Sequence, residues 1–67
     1  MKIGEKLRLL RKEEGLTQQY VADYLECSRQ AYTRYENDQR EIDLESLCKL
    51  ADLFDVSVDF ILGRKKF

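Results

Sequence analysis

The chain has 67 residues, 12 basic and 13 acidic, for a formal net charge of −1. At this size a fold buries only about 60% of the surface of its unfolded chain, so one small core is the most it can build. Two cysteines without C-x-x-C spacing, and no histidine, argue against a zinc site or a disulfide framework.

The N-terminus MKIGEKLRLLRKEEG lacks the apolar stretch of a signal peptide, and no apolar run nears the roughly 20 residues that span a membrane. The expected setting is soluble and cytoplasmic. The charges are unevenly spread. Residues 41–60 carry one basic and six acidic residues, and the remaining 47 positions carry 11 basic and 7 acidic. Such an uneven field can orient a protein toward a polyanion although its total is near zero.

Helix-forming residues dominate and proline is absent. Ile3, Leu7 and Leu10, spaced four then three, predict an amphipathic helix from about residue 3 to 14. Gly15 followed by Leu16 reads as a left-handed C-cap with its apolar follower. Thr17 is then the N-cap of a second helix, about residues 17–25, with Val21, Ala22 and Leu25 inward. After Glu26–Cys27, Ser28 caps a third helix, about residues 28–37, whose apolar members are Ala31, Tyr32 and Tyr35. A polar turn follows, and Asp43 caps a fourth helix with Leu44, Leu47, Ala51 and Phe54 as its buried stripe. Ser57 caps a short fifth helix containing Val58, Ile61 and Leu62, which Gly63 stops. The expectation is a single all-α domain over residues 1–67, a compact five-helix bundle. The short break between its second and third helices makes them a helix-turn-helix.

On the third helix, Arg29, Gln30, Thr33, Arg34 and Asn37 share the side opposite the apolar residues. A polar helix face is ordinarily just solvated. The order of helix, tight turn and helix favours a reading surface instead. Arginine can pair with guanine O6 and N7, glutamine with adenine N6 and N7, and a threonine methyl can meet the thymine methyl.

From LTQQYVADYLECSRQ through RYEN to VSVDFILG, the chain resembles the helix-turn-helix domain of the XRE group, which includes the phage 434 and λ repressors and Cro. The likeness covers roughly residues 3 to 63. It implies DNA base reading by Arg29, Gln30, Thr33 and Arg34, and by Gln18, which contacts the DNA backbone and can reach an outer base. It implies DNA backbone contacts from Ser28 and Asn37, to which Thr17, Arg11 and Arg40 are added as expected backbone contacts. It also implies an Arg11–Glu36 pair tying the first helix to the end of the third, which makes Glu36 a structural residue. Glu26, Asp38 and Asp55 stand where relatives often have glycine, and a left-handed backbone there costs a non-glycine residue roughly 1 kcal/mol. Glu26 and Asp38 flank the reading helix and would repel phosphates if they faced them.

Cys27 and Cys48 fall on apolar positions and read as core residues. Tyr20 and Tyr24 read as cover for the domain's edge, and Arg64–Phe67 as a solvated basic tail. Phe60, Ile61 and Leu62 exceed what one short helix can bury, which points to a homodimer through the C-terminal helix. No histidine, nucleophile–base pair or phosphate loop supports catalysis.

The expected function is that of a cytoplasmic, sequence-specific regulator of transcription, a repressor that binds double-stranded DNA as a homodimer. Its operator would be palindromic, with half-sites roughly 10 bp apart. No enzyme activity, cofactor, metal, small-molecule ligand or membrane is expected. The alternatives are an antitoxin or restriction-control protein of the same fold, or a protein-interaction adaptor whose working side is the acidic segment.

Overall fold

Each helix begins where a short polar side chain can satisfy its first free amides. In the computed structural model, which describes residues 2–64, the helices are α1 (Gly4–Glu13), α2 (Gln18–Tyr24), α3 (Arg29–Glu36), α4 (Leu44–Phe54) and α5 (Val58–Ile61). Thr17, Ser28, Asp43 and Ser57 cap α2 to α5 as expected, each accepting from the amide three residues on. No strand occurs among the described residues. The basic tail expectation falls largely outside them, at residues 65–67.

The first helix is capped from a distance. Ile3 offers no capping side chain, and Asp38 supplies the acceptor instead, its Oδ1 taking the Gly4 amide at 2.9 Å. Asp38 thus serves the positive end of α1. A Cβ on Gly4 would fall on the carbonyl oxygen of Glu36, so glycine is what lets α1 approach α3 this closely.

All five helices end in the same way. The amide of the residue after a left-handed position bonds back to the carbonyl five residues earlier: Leu16 to Arg11, Cys27 to Ala22, Gln39 to Arg34, Val56 to Ala51 and Arg64 to Asp59. The left-handed positions are Gly15, Glu26, Asp38, Asp55 and Gly63. Three of the five carry a side chain, and Glu26, with φ of 60°, is the one least suited to it.

The core gathers Leu7 and Leu10 of α1, Val21 and Ala22 of α2, Tyr32 and Tyr35 of α3, Leu47, Leu50, Ala51 and Phe54 of α4, and Ile61 of α5. Two expectations fail on α4. Leu44 is 73% exposed, and the fully buried Leu50 takes its place in the stripe. Period assigns a face, but only neighbouring elements decide which turns of that face are covered. Cys48 is likewise exposed, whereas Cys27 is half-buried against the core. Ile61 is buried, while Phe60 and Leu62 are partly buried and pack on the core, so α5 covers more of its apolar surface than its length suggested. Lys6 lies over the Phe60 ring, 4.3 Å from its centroid.

Candidate nucleic-acid interface

α2 and α3 pack directly on each other, joined by the turn at Glu26 and Cys27. Tyr32 and Tyr35 point inward from α3, their rings edge to face. Arg29, Gln30 and Arg34 are exposed on the opposite side, with Thr33 half-buried between them. Those four residues and Gln39 line one open depression. Gln39 is the member that helix periodicity missed, because it lies beyond the left-handed turn that brings the chain back beside α3.

Behind that face lies a buried carboxylate. Glu36 has a fully buried side chain and accepts from Arg11 Nε at 2.6 Å, from Arg11 Nη2 at 3.2 Å and from Gln18 Nε2 at 3.0 Å. Burial alone raises a carboxyl, but the hydrogen bonds from Arg11, the nearby Tyr32 hydroxyl and the Gln18 amide outweigh it and hold Glu36 below its ordinary range. Hydrogen bonding to Glu36 likewise raises the Arg11 guanidinium, against the opposing effect of burial. Arg11 Nη1 donates to the Leu16 carbonyl at 2.9 Å, so all three of its nitrogens bind protein acceptors. The Tyr32 hydroxyl is buried near the Glu36 carboxylate without a well-formed hydrogen bond, and burial, then the neighbouring carboxylate, pushes its phenol well above the ordinary value.

Gln18 connects this centre to the exposed face. Its Nε2 donates to Glu36, and its Oε1 accepts from Thr33 Oγ1 at 3.0 Å. Because an ionised carboxylate only accepts, the Gln18 amide can take one orientation. Thr33 Oγ1 also reaches the Arg29 carbonyl at 2.8 Å.

The other candidates lie around the rim. Thr17 and Ser28 are exposed at the starts of α2 and α3, where free amides favour an anion. Exposed Asn37 caps the far end of α3, and Arg40 lies 5.9 Å from the Tyr35 ring centroid. Sequence reasoning passed over Arg8, whose Nη2 donates to Asn37 Oδ1 at 3.2 Å. Its place three residues before Arg11, on the side of α1 that meets Glu36, was the available signal. Among the described residues, no three Cys, Asp or Glu gather as metal ligands would, and no helix is long and apolar enough to cross a membrane.

Two short helices joined by a tight turn, the second docked by tyrosines and showing arginine, glutamine and threonine outward, define a helix-turn-helix recognition domain. The chain belongs to the helix-turn-helix family, of the XRE type, whose profile matches residues 7–61. That family consists of transcriptional regulators rather than enzymes. Over 59 residues the chain is 44% identical to the SPbeta prophage-derived HTH-type transcriptional regulator YonR of Bacillus subtilis, covering 88% of this chain and 55% of that protein. Identity is also 44%, over 62 residues, with the HTH-type transcriptional regulator AnsR of the same organism, covering 92% of this chain and 53% of that one. The chain thus spans about half the length of these curated relatives. Its fold matches the P22 c2 repressor, solved in complex with a synthetic operator, with a TM-score of 0.86 and 25% identity over 97% of this chain and 98% of that one.

Proposed function

We propose that this chain binds double-stranded DNA sequence-specifically in the cytoplasm, as the reading domain of a transcriptional repressor. The observation that carries the proposal is the outward set Arg29, Gln30, Thr33 and Arg34 on a helix whose other side is locked into the core. In this reading α3 enters the major groove and Gln18 reaches an outer base. Thr17, Ser28, Asn37 and Arg40 meet the backbone and set the register. Arg11 contributes indirectly, by holding Glu36 and through it Gln18. Asp38, occupied at the start of α1, offers its carboxylate to α1 rather than to a phosphate. Two copies read a palindrome whose half-sites lie roughly one helical turn apart, about 10 bp. The solved P22 c2 repressor–operator complex supports this mode of binding by likeness of fold.

Selection of bound duplexes from a random pool tests the proposal, using the wild type, Arg29→Ala and Arg34→Ala. The expected result is one enriched palindromic motif, with each arginine worth about 1–3 kcal/mol at a single base position. A wild-type protein that enriches no motif overturns the specific reading. Sedimentation on the selected duplex should give two chains per site, and a single chain at saturation would overturn the dimer.

A further inference from the structure

Arg8 leaves α1 toward the C-terminal end of α3, where its Nη2 binds Asn37 Oδ1 at 3.2 Å and its Nε lies 3.7 Å from Glu36 Oε1. Glu36 carries one negative charge, and Arg11 already matches it at 2.6 Å. Two guanidiniums therefore share one carboxylate. The Arg11 side chain is 11% exposed, whereas that of Arg8 is 43% exposed, so the unmatched positive charge stays on the solvent side. Asp38, the next carboxylate along this turn, is occupied at the Gly4 amide. On α1 itself Glu5 and Lys12, about one turn to either side of Arg8, offset each other in charge.

The same contact orients Asn37. A guanidinium only donates, so Asn37 must offer it the amide oxygen, which turns the amide nitrogen the other way. Together the two side chains present a cation and N–H donors beside the reading helix. The C-terminal end of a helix repels an anion by its dipole, so the Asn37 amide alone is poorly placed to hold one. The charge of Arg8 reverses that balance. We infer that Arg8 and Asn37 form a single DNA-phosphate contact, in which Arg8 supplies the charge and positions the Asn37 amide. The inference rests on the DNA-binding reading above.

Salt dependence separates this contact from a structural role, because each cation that neutralises a phosphate steepens the plot of log affinity against log salt by about 0.9. The measurement is binding to the selected duplex between 50 and 200 mM KCl, for wild type, Arg8→Gln, Arg8→Lys, Asn37→Ala and the Arg8→Gln/Asn37→Ala double variant. Arg8→Gln should flatten the slope by about 0.9, so that its affinity falls about 3.5-fold less than that of the wild type across this range. Arg8→Lys should restore the slope. Asn37→Ala should weaken binding about threefold to tenfold without changing the slope, and by less when Arg8 is already glutamine. Random-pool selection should return the same motif for Arg8→Gln, since a phosphate contact positions without specifying.

A thermal melt of each variant keeps the comparison to folded protein. Folded Arg8→Gln with the wild-type slope overturns the inference while leaving sequence-specific binding intact. Equal Asn37→Ala losses in both backgrounds overturn the shared contact. A wild type that binds no duplex overturns both this inference and the DNA-binding reading.

Discussion

Replacing Arg11 by methionine leaves the fully buried Glu36 side chain in place, with the Gln18 amide at 3.0 Å and the half-exposed Arg8 guanidinium at 3.7 Å as its remaining partners. Removing the close partner of a buried ion pair costs about 3–5 kcal/mol, because the other charge stays buried, and Arg8, farther away and 43% exposed, offsets it only in part. For a domain of this size each kcal/mol moves the melting midpoint by about 4–8 °C, so the loss should be at least about 12 °C. The penalty should also depend on pH in a direction that the pair dictates. In the wild type Glu36 is held below its ordinary value, so its stabilising contribution is present above the unfolded carboxyl value of about 4.3. That contribution is lost as pH falls through the lower, folded value. Without Arg11 the burial cost dominates, the carboxyl rises, and protonation favours the fold. The Arg11→Met penalty should therefore shrink as pH drops from 7 to 5, as measured by urea unfolding followed by circular dichroism. Arg11→Met/Glu36→Leu should recover most of the loss, since an apolar pair of similar volume leaves no stranded charge. A single-variant penalty below about 1 kcal/mol at pH 7, or one that does not change down to pH 5, would refute the reasoning.

Three further outcomes follow from the packing. Gly4→Ala should destabilise by about 1–3 kcal/mol in urea unfolding, because its methyl meets the Glu36 carbonyl and forces α1 off α3; a neutral result would mean that the helices part freely. Glu26→Gly should raise stability by about 0.5–1 kcal/mol, relief of the left-handed strain exceeding the entropy that glycine adds to the unfolded chain, and a lower melting midpoint would contradict this. Tyr32→Phe should cost less than about 1 kcal/mol, since the hydroxyl it removes makes no well-formed hydrogen bond; a larger loss would show that its contact with Glu36 holds that centre together.

The helices and their starts were legible because their causes are local. Thr17, Ser28, Asp43 and Ser57 each bond an amide three residues away, and the left-handed turns at Gly15 and Gly63 are announced by the residue itself. The outward set on α3 followed from a period of 3.6 applied to one helix, and the resemblance named the Arg11–Glu36 pair. Less visible was anything that depends on where a neighbouring element stops. Leu44 fits the α4 period yet is exposed, Cys48 reads as apolar yet faces out, and Leu50 was passed over yet is fully buried.

By itself, then, the sequence determined the order of the helices, their caps and which side of α3 is polar, all consequences of interactions within a turn or two of chain. Tertiary structure alone decided how that polar side is braced. The Asp38–Gly4 cap spans 34 positions, the Arg8–Asn37 bond 29 and the Gln18–Thr33 bond 15. Such bonds form only once hydrophobic burial has brought α1, α2 and α3 together, and no local spacing encodes them. Glu36 illustrates both halves: its partner Arg11 was expected from the resemblance, but its grip on Gln18, and through Gln18 on Thr33, exists only where the three helices meet.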